Sequence, residues 1–295
     1  MTKTAWVFPG QGSQALGMAT DLLDITDAQI KFKQAEQILG WSVAQLCQSE
    51  EDKLSRTLYT QPCLYVVESL LVDLMQAAGH QPQWVAGHSL GEYVALYSAG
   101  VFDFETGLKL VKRRAELMDT AAGGQMAAFI GFNREQLLEQ LQQTEGVVLA
   151  NDNSSAQVVI SGTPEAVDTI IANVKAKRAV KLNVSGAFHS PMMAQAATEF
   201  EQILDDVAFK AAQVPVLSNV EPIPTTEAAK LKQRLLNQMT GSVRWRETCL
   251  TFQAQGVEQV IEIGPGKVLT GLVKRTCSGI ALANISSSAE ISRLD

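Results

Sequence analysis

Gln83-Trp84-Val85-Ala86-Gly87-His88-Ser89-Leu90-Gly91 is the stretch that decides how this chain reads. Its first four residues form a short apolar run that predicts a buried strand. From Leu90 onward, Leu90, Tyr93, Val94, Tyr97 and Val101 recur at helical spacing, and Gly100 marks the stop. Between strand and helix stands G-x-S-x-G, the pattern of a serine presented at a sharp turn. A serine hydroxyl is a poor nucleophile unless a base takes its proton, and such an elbow holds it in the open beside one. The flanking glycines let neighbouring backbone crowd the turn without a Cβ clash.

Outward from the elbow, short apolar runs alternate with longer amphipathic stretches, which predicts an α/β fold. Main-body strands are expected at Thr4–Phe8, Gln83–His88, Pro215–Ser218, Gln259–Ile263 and Ile280–Ala283. The segment 125–185 has a different rhythm. Strands at Gln125–Phe132, Val147–Asn151, Gln157–Ser161 and Arg178–Val184 enclose helices at Arg134–Gln143 and from Thr163-Pro164-Glu165. The order βαββαβ is that of a ferredoxin-like unit. It is read as an insert in a main domain made of 1–124 and 186–295.

The chain has 295 residues, enough for a large core, with 46% hydrophobic and 19% charged residues, as in an ordinary globular enzyme. A net charge of −7 without a basic run argues against nucleic acid. Cys47, Cys63, Cys249 and Cys277 are scattered without metal-like pairing and read as reduced thiols. No apolar run approaches a membrane span, and Pro9-Gly10 comes too soon after the N-terminus for a signal peptide. The expectation is a soluble, cytoplasmic monomer with no metal and no membrane partner.

A base for Ser89 must come from three histidines. His80 lies in a polar turn. His88 adjoins the serine, but consecutive strand residues face opposite ways, so it is expected beside the elbow rather than on the hydroxyl. His189, in Gly186-Ala187-Phe188-His189-Ser190-Pro191 just after the insert, is the partner by elimination. No carboxylate is placed as an obvious third member. On the helix expected from Gly107 to Ala122, Leu110, Val111, Ala115, Leu117, Met118 and Ala121 share one arc, and Arg114 falls near its centre. A buried guanidinium needs an anion. An internal carboxylate, a side chain that snorkels out, and a clamp on a substrate carboxylate all fit that need. After the first strand, Phe8-Pro9-Gly10-Gln11-Gly12-Ser13-Gln14 can bring an amide toward a reacting carbonyl, and the Leu90 amide would supply the other half of an oxyanion hole. Ile263-Gly264-Pro265-Gly266-Lys267 fits no phosphate-loop spacing and reads as a structural turn.

Together these motifs, with Gln238 ahead of Val243-Arg244-Trp245 and Glu262 before the Gly264 turn, resemble the malonyl-CoA:acyl carrier protein transacylases across nearly the whole chain. The resemblance implies an α/β-hydrolase-like body with a ferredoxin-like insert, and malonyl transfer from malonyl-CoA to acyl carrier protein without a cofactor. It implies Ser89 as the acylated nucleophile and His189 as its base. Gln11 and Leu90 would supply oxyanion amides, Arg114 would bind the malonyl carboxylate, and a backbone carbonyl at Gln238 would orient the histidine. Phe188 matches the malonyl-preferring pattern, whereas Ser242 departs from the proline common in relatives. Lys112, Arg113, Lys181, Lys267, Lys274 and Arg275 are candidates for docking the acidic carrier. Two other readings use the same residues: a serine esterase or thioesterase, which has no need of Arg114, and a non-catalytic carrier-binding protein, which has no need of Ser89 and His189.

Overall fold

The computed structural model describes residues 2–49 and 52–294; residues 1 and 295, the outer limits of the expected main domain, lie outside them. Its strands run β1 (Thr4–Phe8), β2 (Trp84–Gly87), β3 (Gln125–Phe132), β4 (Val147–Ser154), β5 (Gln157–Gly162), β6 (Ala176–Lys181), β7 (Val216–Leu217), β8 (Gln259–Ile263) and β9 (Ala281–Ile285). The fold is α/β and the strands fall into two sheets.

The larger sheet is parallel in the order β7-β2-β1-β8-β9. Helices cover both faces, which is why its strands are nearly continuous apolar runs. In β1, Trp6 and Phe8 point into one cluster and Ala5 and Val7 into the other. From β1 the chain adds β2 and β7 on one side, then returns to lay β8 and β9 on the other. The strand order therefore reverses at β1, and the crevice beyond the carboxyl ends at such a reversal is where α/β sheets bind ligands.

The smaller sheet, antiparallel in the order β4-β5-β3-β6, is built from the continuous segment β3-helix-β4-β5-helix-β6. Its helices, Arg134–Gln143 and Pro164–Asn173, pack Leu137, Val167 and Ile170 onto Ala127 and Phe129 of β3. Met126, on the opposite face of β3, joins the main core. A backbone link, the Asp152 N–H to the Val243 carbonyl at 2.9 Å, ties β4 to the larger body.

Several element limits differ from the sequence expectation. The helix expected from Gly107 runs Phe104–Thr120, because Asp103 Oδ1 caps it by accepting the Thr106 N–H at 2.8 Å. Gly107 is no start signal: a Cβ there would lie 2.0 Å from the Tyr65 hydroxyl, so it marks close helix packing. β6 ends at Lys181 instead of Val184, where its pairing with β3 runs out and the chain turns toward His189. β9 extends to Ile285, past Asn284, whose side chain donates to the Glu262 and Gly266 carbonyls. β2 stops at Gly87, one residue short of His88, and β7 keeps only Val216–Leu217 of Pro215–Ser218.

Candidate active site

Ser89 follows β2 with φ 53°, a left-handed conformation that a residue with a Cβ rarely adopts. Asn219, just beyond β7, holds it there. Its Oδ1 accepts the Ser89 N–H at 2.7 Å and its Nδ2 donates to the Gly87 carbonyl at 2.5 Å. The glycines around the elbow are sterically required. A Cβ on Gly91 would stand 2.0 Å from the Phe8 carbonyl oxygen, and one on Gly10 would stand 2.4 Å from that of His88. The loop leaving β1 thus rests directly on the elbow and brings Gln11 beside Leu90. Among the described residues, neither the Gln11 nor the Leu90 backbone N–H has an acceptor in the protein, while the Gln11 side chain donates to Thr57 Oγ1 at 3.1 Å. The Gly264–Gly266 turn packs against the same loop at Ser13, and Glu262 caps the helix Val268–Thr276 by accepting the Leu269 and Thr270 N–H groups.

His189 also has positive φ, 56°, and is buried. Its Nδ1 lies 2.9 Å from the Gln238 carbonyl and its Nε2 lies 2.8 Å from Ser89 Oγ. A carbonyl only accepts, so Nδ1 carries the proton and Nε2 is free to accept from the serine. Burial, reinforced by the Arg114 charge, pulls the imidazole pKa down to about 3 and keeps it neutral. His88 stays off the hydroxyl. Its Nε2 donates to Asn153 Oδ1 at 2.8 Å, and its ring sits 5.7 Å from that of Trp245.

Arg114 is fully buried, at 0% exposure. Among the described residues its hydrogen bonds go to neutral oxygens: Nη1 to Gln61 Oε1 at 2.7 Å, and Nη2 to Ser89 Oγ and Gln238 Oε1, each at 3.0 Å. The Tyr93 ring lies 5.4 Å from its Cζ, and Nε has no partner among the described residues. The arginine therefore does not snorkel out, and it forms no direct ion pair among the described residues. A cleft of about 90 Å³ opens over these groups, with Gln11, Leu90, Met118 and Phe188 on the body side and Met126, Asn151 and Leu182 on the side of the smaller sheet.

The structure thus brings Ser89, His189, Arg114, Gln11, Leu90 and Gln238 together. It adds three residues to which the sequence reading gave no role: Gln61, Asn219, and Glu92 at the end of the Gly87–Glu92 motif. Gln61 could have been found as Arg114 was, as a polar side chain inside the largely apolar helix Thr57–Ala77. Of the cations considered for docking a carrier, Lys112 donates to the Ile38 carbonyl, Arg113 pairs with Glu116 and Glu199, and Lys181 pairs with Asp168. Arg275 reaches Gln157 Oε1 at 3.4 Å.

A hydroxyl touching a neutral imidazole, two amides converging at an elbow and a guanidinium 3.0 Å from the hydroxyl define a serine site of the acyl-transferring class on an α/β sheet. The acyl transferase domain family matches residues 5–293, and the chain belongs to that family. It is 58% identical to the malonyl CoA-acyl carrier protein transacylase of Synechocystis sp. over 292 residues, which cover 99% of this chain and 100% of that protein. The crystal structure of the Synechocystis malonyl-CoA:ACP transacylase superposes with a TM-score of 0.97 at 57% identity, over 99% of this chain and 100% of that one. A malonyl-transacylase solved in complex with its type II PKS acyl-carrier protein superposes with a TM-score of 0.92 at 38% identity, over 99% of this chain and 98% of that one.

Proposed function

We propose that this acyltransferase moves the malonyl group of malonyl-CoA onto the phosphopantetheine thiol of acyl carrier protein, supplying fatty acid synthesis. The observation that carries the reading is Arg114: a buried, permanently charged fork whose hydrogen-bond partners among the described residues are all neutral, 3.0 Å from the nucleophile. An unpaired buried charge costs several kcal/mol, and a carboxylate on the acyl group would offset that cost with bidentate geometry. A plain esterase has no use for such a group.

The reaction runs in two halves. His189 Nε2 takes the Ser89 proton while Oγ attacks the thioester carbonyl. The oxyanion is received by the Gln11 and Leu90 amides. As the C–S bond breaks, His189 returns the proton to the departing CoA sulfur, leaving a malonyl-Ser89 ester. The carrier thiol then gives its proton to His189 and attacks the ester carbonyl, and His189 returns that proton to Ser89 Oγ as the ester C–O bond breaks. The Gln238 carbonyl keeps the imidazole in the required tautomer throughout. No cofactor or metal enters these steps. A narrow cleft limits the room for competing water.

The two-sheet architecture supports an α/β-hydrolase-like body, 1–124 and 186–295, carrying a ferredoxin-like insert, 125–185. The strand order β4-β5-β3-β6 in a βαββαβ segment is the feature that favours this division. A cytoplasmic setting is supported by four cysteines that remain unpaired. Among the described residues, no helix is long and apolar enough to cross a membrane.

Transfer of labelled malonyl from malonyl-CoA to holo-acyl carrier protein tests the proposal. The wild type should label the carrier and Ser89→Ala should not. Release of free malonate with no labelled carrier would favour the thioesterase reading.

A further inference from the structure

Glu92 opens the elbow helix Gly91–Ser98, three residues after the nucleophile, and is fully buried. Its Oε2 accepts two hydrogen bonds: from the Asn219 N–H at 3.1 Å and from Gln238 Nε2 at 2.7 Å. Both donors belong to residues that grip the site. Asn219 holds the backbone on either side of Ser89. Gln238 gives its carbonyl to His189 and its Oε1 to Arg114, while its second Nε2 proton goes to the Ser89 carbonyl at 2.9 Å.

A glutamine amide can turn over, exchanging its oxygen and nitrogen. Turned over here, the NH2 group of Gln238 would face the Arg114 guanidinium, and its oxygen would face both the Ser89 carbonyl and the Glu92 carboxyl. Every contact would then oppose like against like. Glu92 in its charged form reinforces the orientation that Arg114 and the Ser89 carbonyl favour, because a carboxylate only accepts and no amide oxygen can face it.

We propose that Glu92 is a positioning residue for acyl-group selection: by fixing the Gln238 amide it aims Arg114 at the acyl group on Ser89. The field of the carboxyl reaches Arg114 in the same direction. Burial raises the Glu92 pKa to about 7, while the Gln238 and Asn219 hydrogen bonds and the Arg114 charge hold it down. Glu92 touches no reacting atom; it acts through its two hydrogen-bond partners and through its charge on Arg114. The inference rests on malonyl transfer being the reaction.

Acyl-Ser89 formation from malonyl-CoA and from acetyl-CoA tests it in wild type, Glu92→Asp and Glu92→Gln. Aspartate keeps the charge but is one methylene too short to meet both donors. It should lower malonyl loading about tenfold more than acetyl loading. Glutamine can keep an oxygen at the Oε2 position and should bring the malonyl-to-acetyl ratio back to within about threefold of wild type. Equal losses of both acyl groups in Glu92→Asp would reduce Glu92 to a fold residue and overturn the proposal. If Glu92→Asp does not fold, Glu92→Ala, which leaves the Asn219 and Gln238 donors without their acceptor, takes its place, and equal losses of both acyl groups in that variant would overturn the proposal in the same way. A wild type that loads acetyl but no malonyl would sink the malonyl reading itself, and this inference with it.

Discussion

Arg114 Nη2 donates to Ser89 Oγ across 3.0 Å, and the same oxygen stands 2.8 Å from His189 Nε2. One hydroxyl is thus shared between a fixed cation and a neutral base. An acyl group formed on that oxygen would emerge beside the guanidinium, and its own charge would then decide how well it is held.

Arg114→Ala should therefore separate substrates. Malonyl loading is expected to fall on the order of a hundredfold, because a bidentate charge pair is lost, while acetyl loading falls much less. Rates of acyl-enzyme formation by mass spectrometry measure both. Equal losses would point to a general esterase.

The imidazole of His189 should stay neutral well below the usual histidine range. Its pKa is lowered from 6.5 to about 3, first by burial and then by Arg114. In the window between those values the unfolded chain binds a proton that the folded chain refuses, so this group makes stability fall as pH falls. Glu92 has the opposite sign. Its pKa is raised from 4.5 to about 7, so the folded state binds the extra proton and its penalty fades as pH drops through that range. Nitrogen NMR of the labelled imidazole should show one neutral tautomer, protonated at Nδ1, down to about pH 5. A protonation midpoint near 6.5 would contradict the buried, carbonyl-anchored base.

Gly91→Ala should damage both fold and site. The added methyl would lie 2.0 Å from the Phe8 carbonyl oxygen, which is backbone and cannot swing aside. Separating the β1 loop from the elbow should cost about 2 kcal/mol or more in a denaturation experiment. It should also slow acylation, because Gln11 and Leu90 would no longer converge. An unchanged melt would show that the loop is looser than its packing implies.

The parts of the site that the sequence betrayed are those whose local pattern is incongruous. Ser89 sits in a strand-glycine-helix context, and Arg114 sits on the apolar arc of its helix. His189 was reached only because three histidines left little choice. The Gln238 carbonyl came from family resemblance, since a backbone acceptor leaves no mark on side-chain chemistry. Asn219, Glu92 and the Gln238 amide come from three separate segments, with hydrogen bonds spanning 127 to 146 residues. Glu92 lies far along the chain from both of its partners, and each of the three looks ordinary alone. Element limits went astray for a related reason: Gly107 owes its identity to Tyr65, a residue far off in the chain.

The most direct measurement is incubation with malonyl-CoA in the absence of any carrier, followed by digestion and mass mapping. One malonyl group should appear on the peptide holding Ser89, and it should be lost on adding holo-acyl carrier protein. A wild-type protein that carries no malonyl at Ser89, or carries one that the carrier thiol cannot remove, would contradict the account.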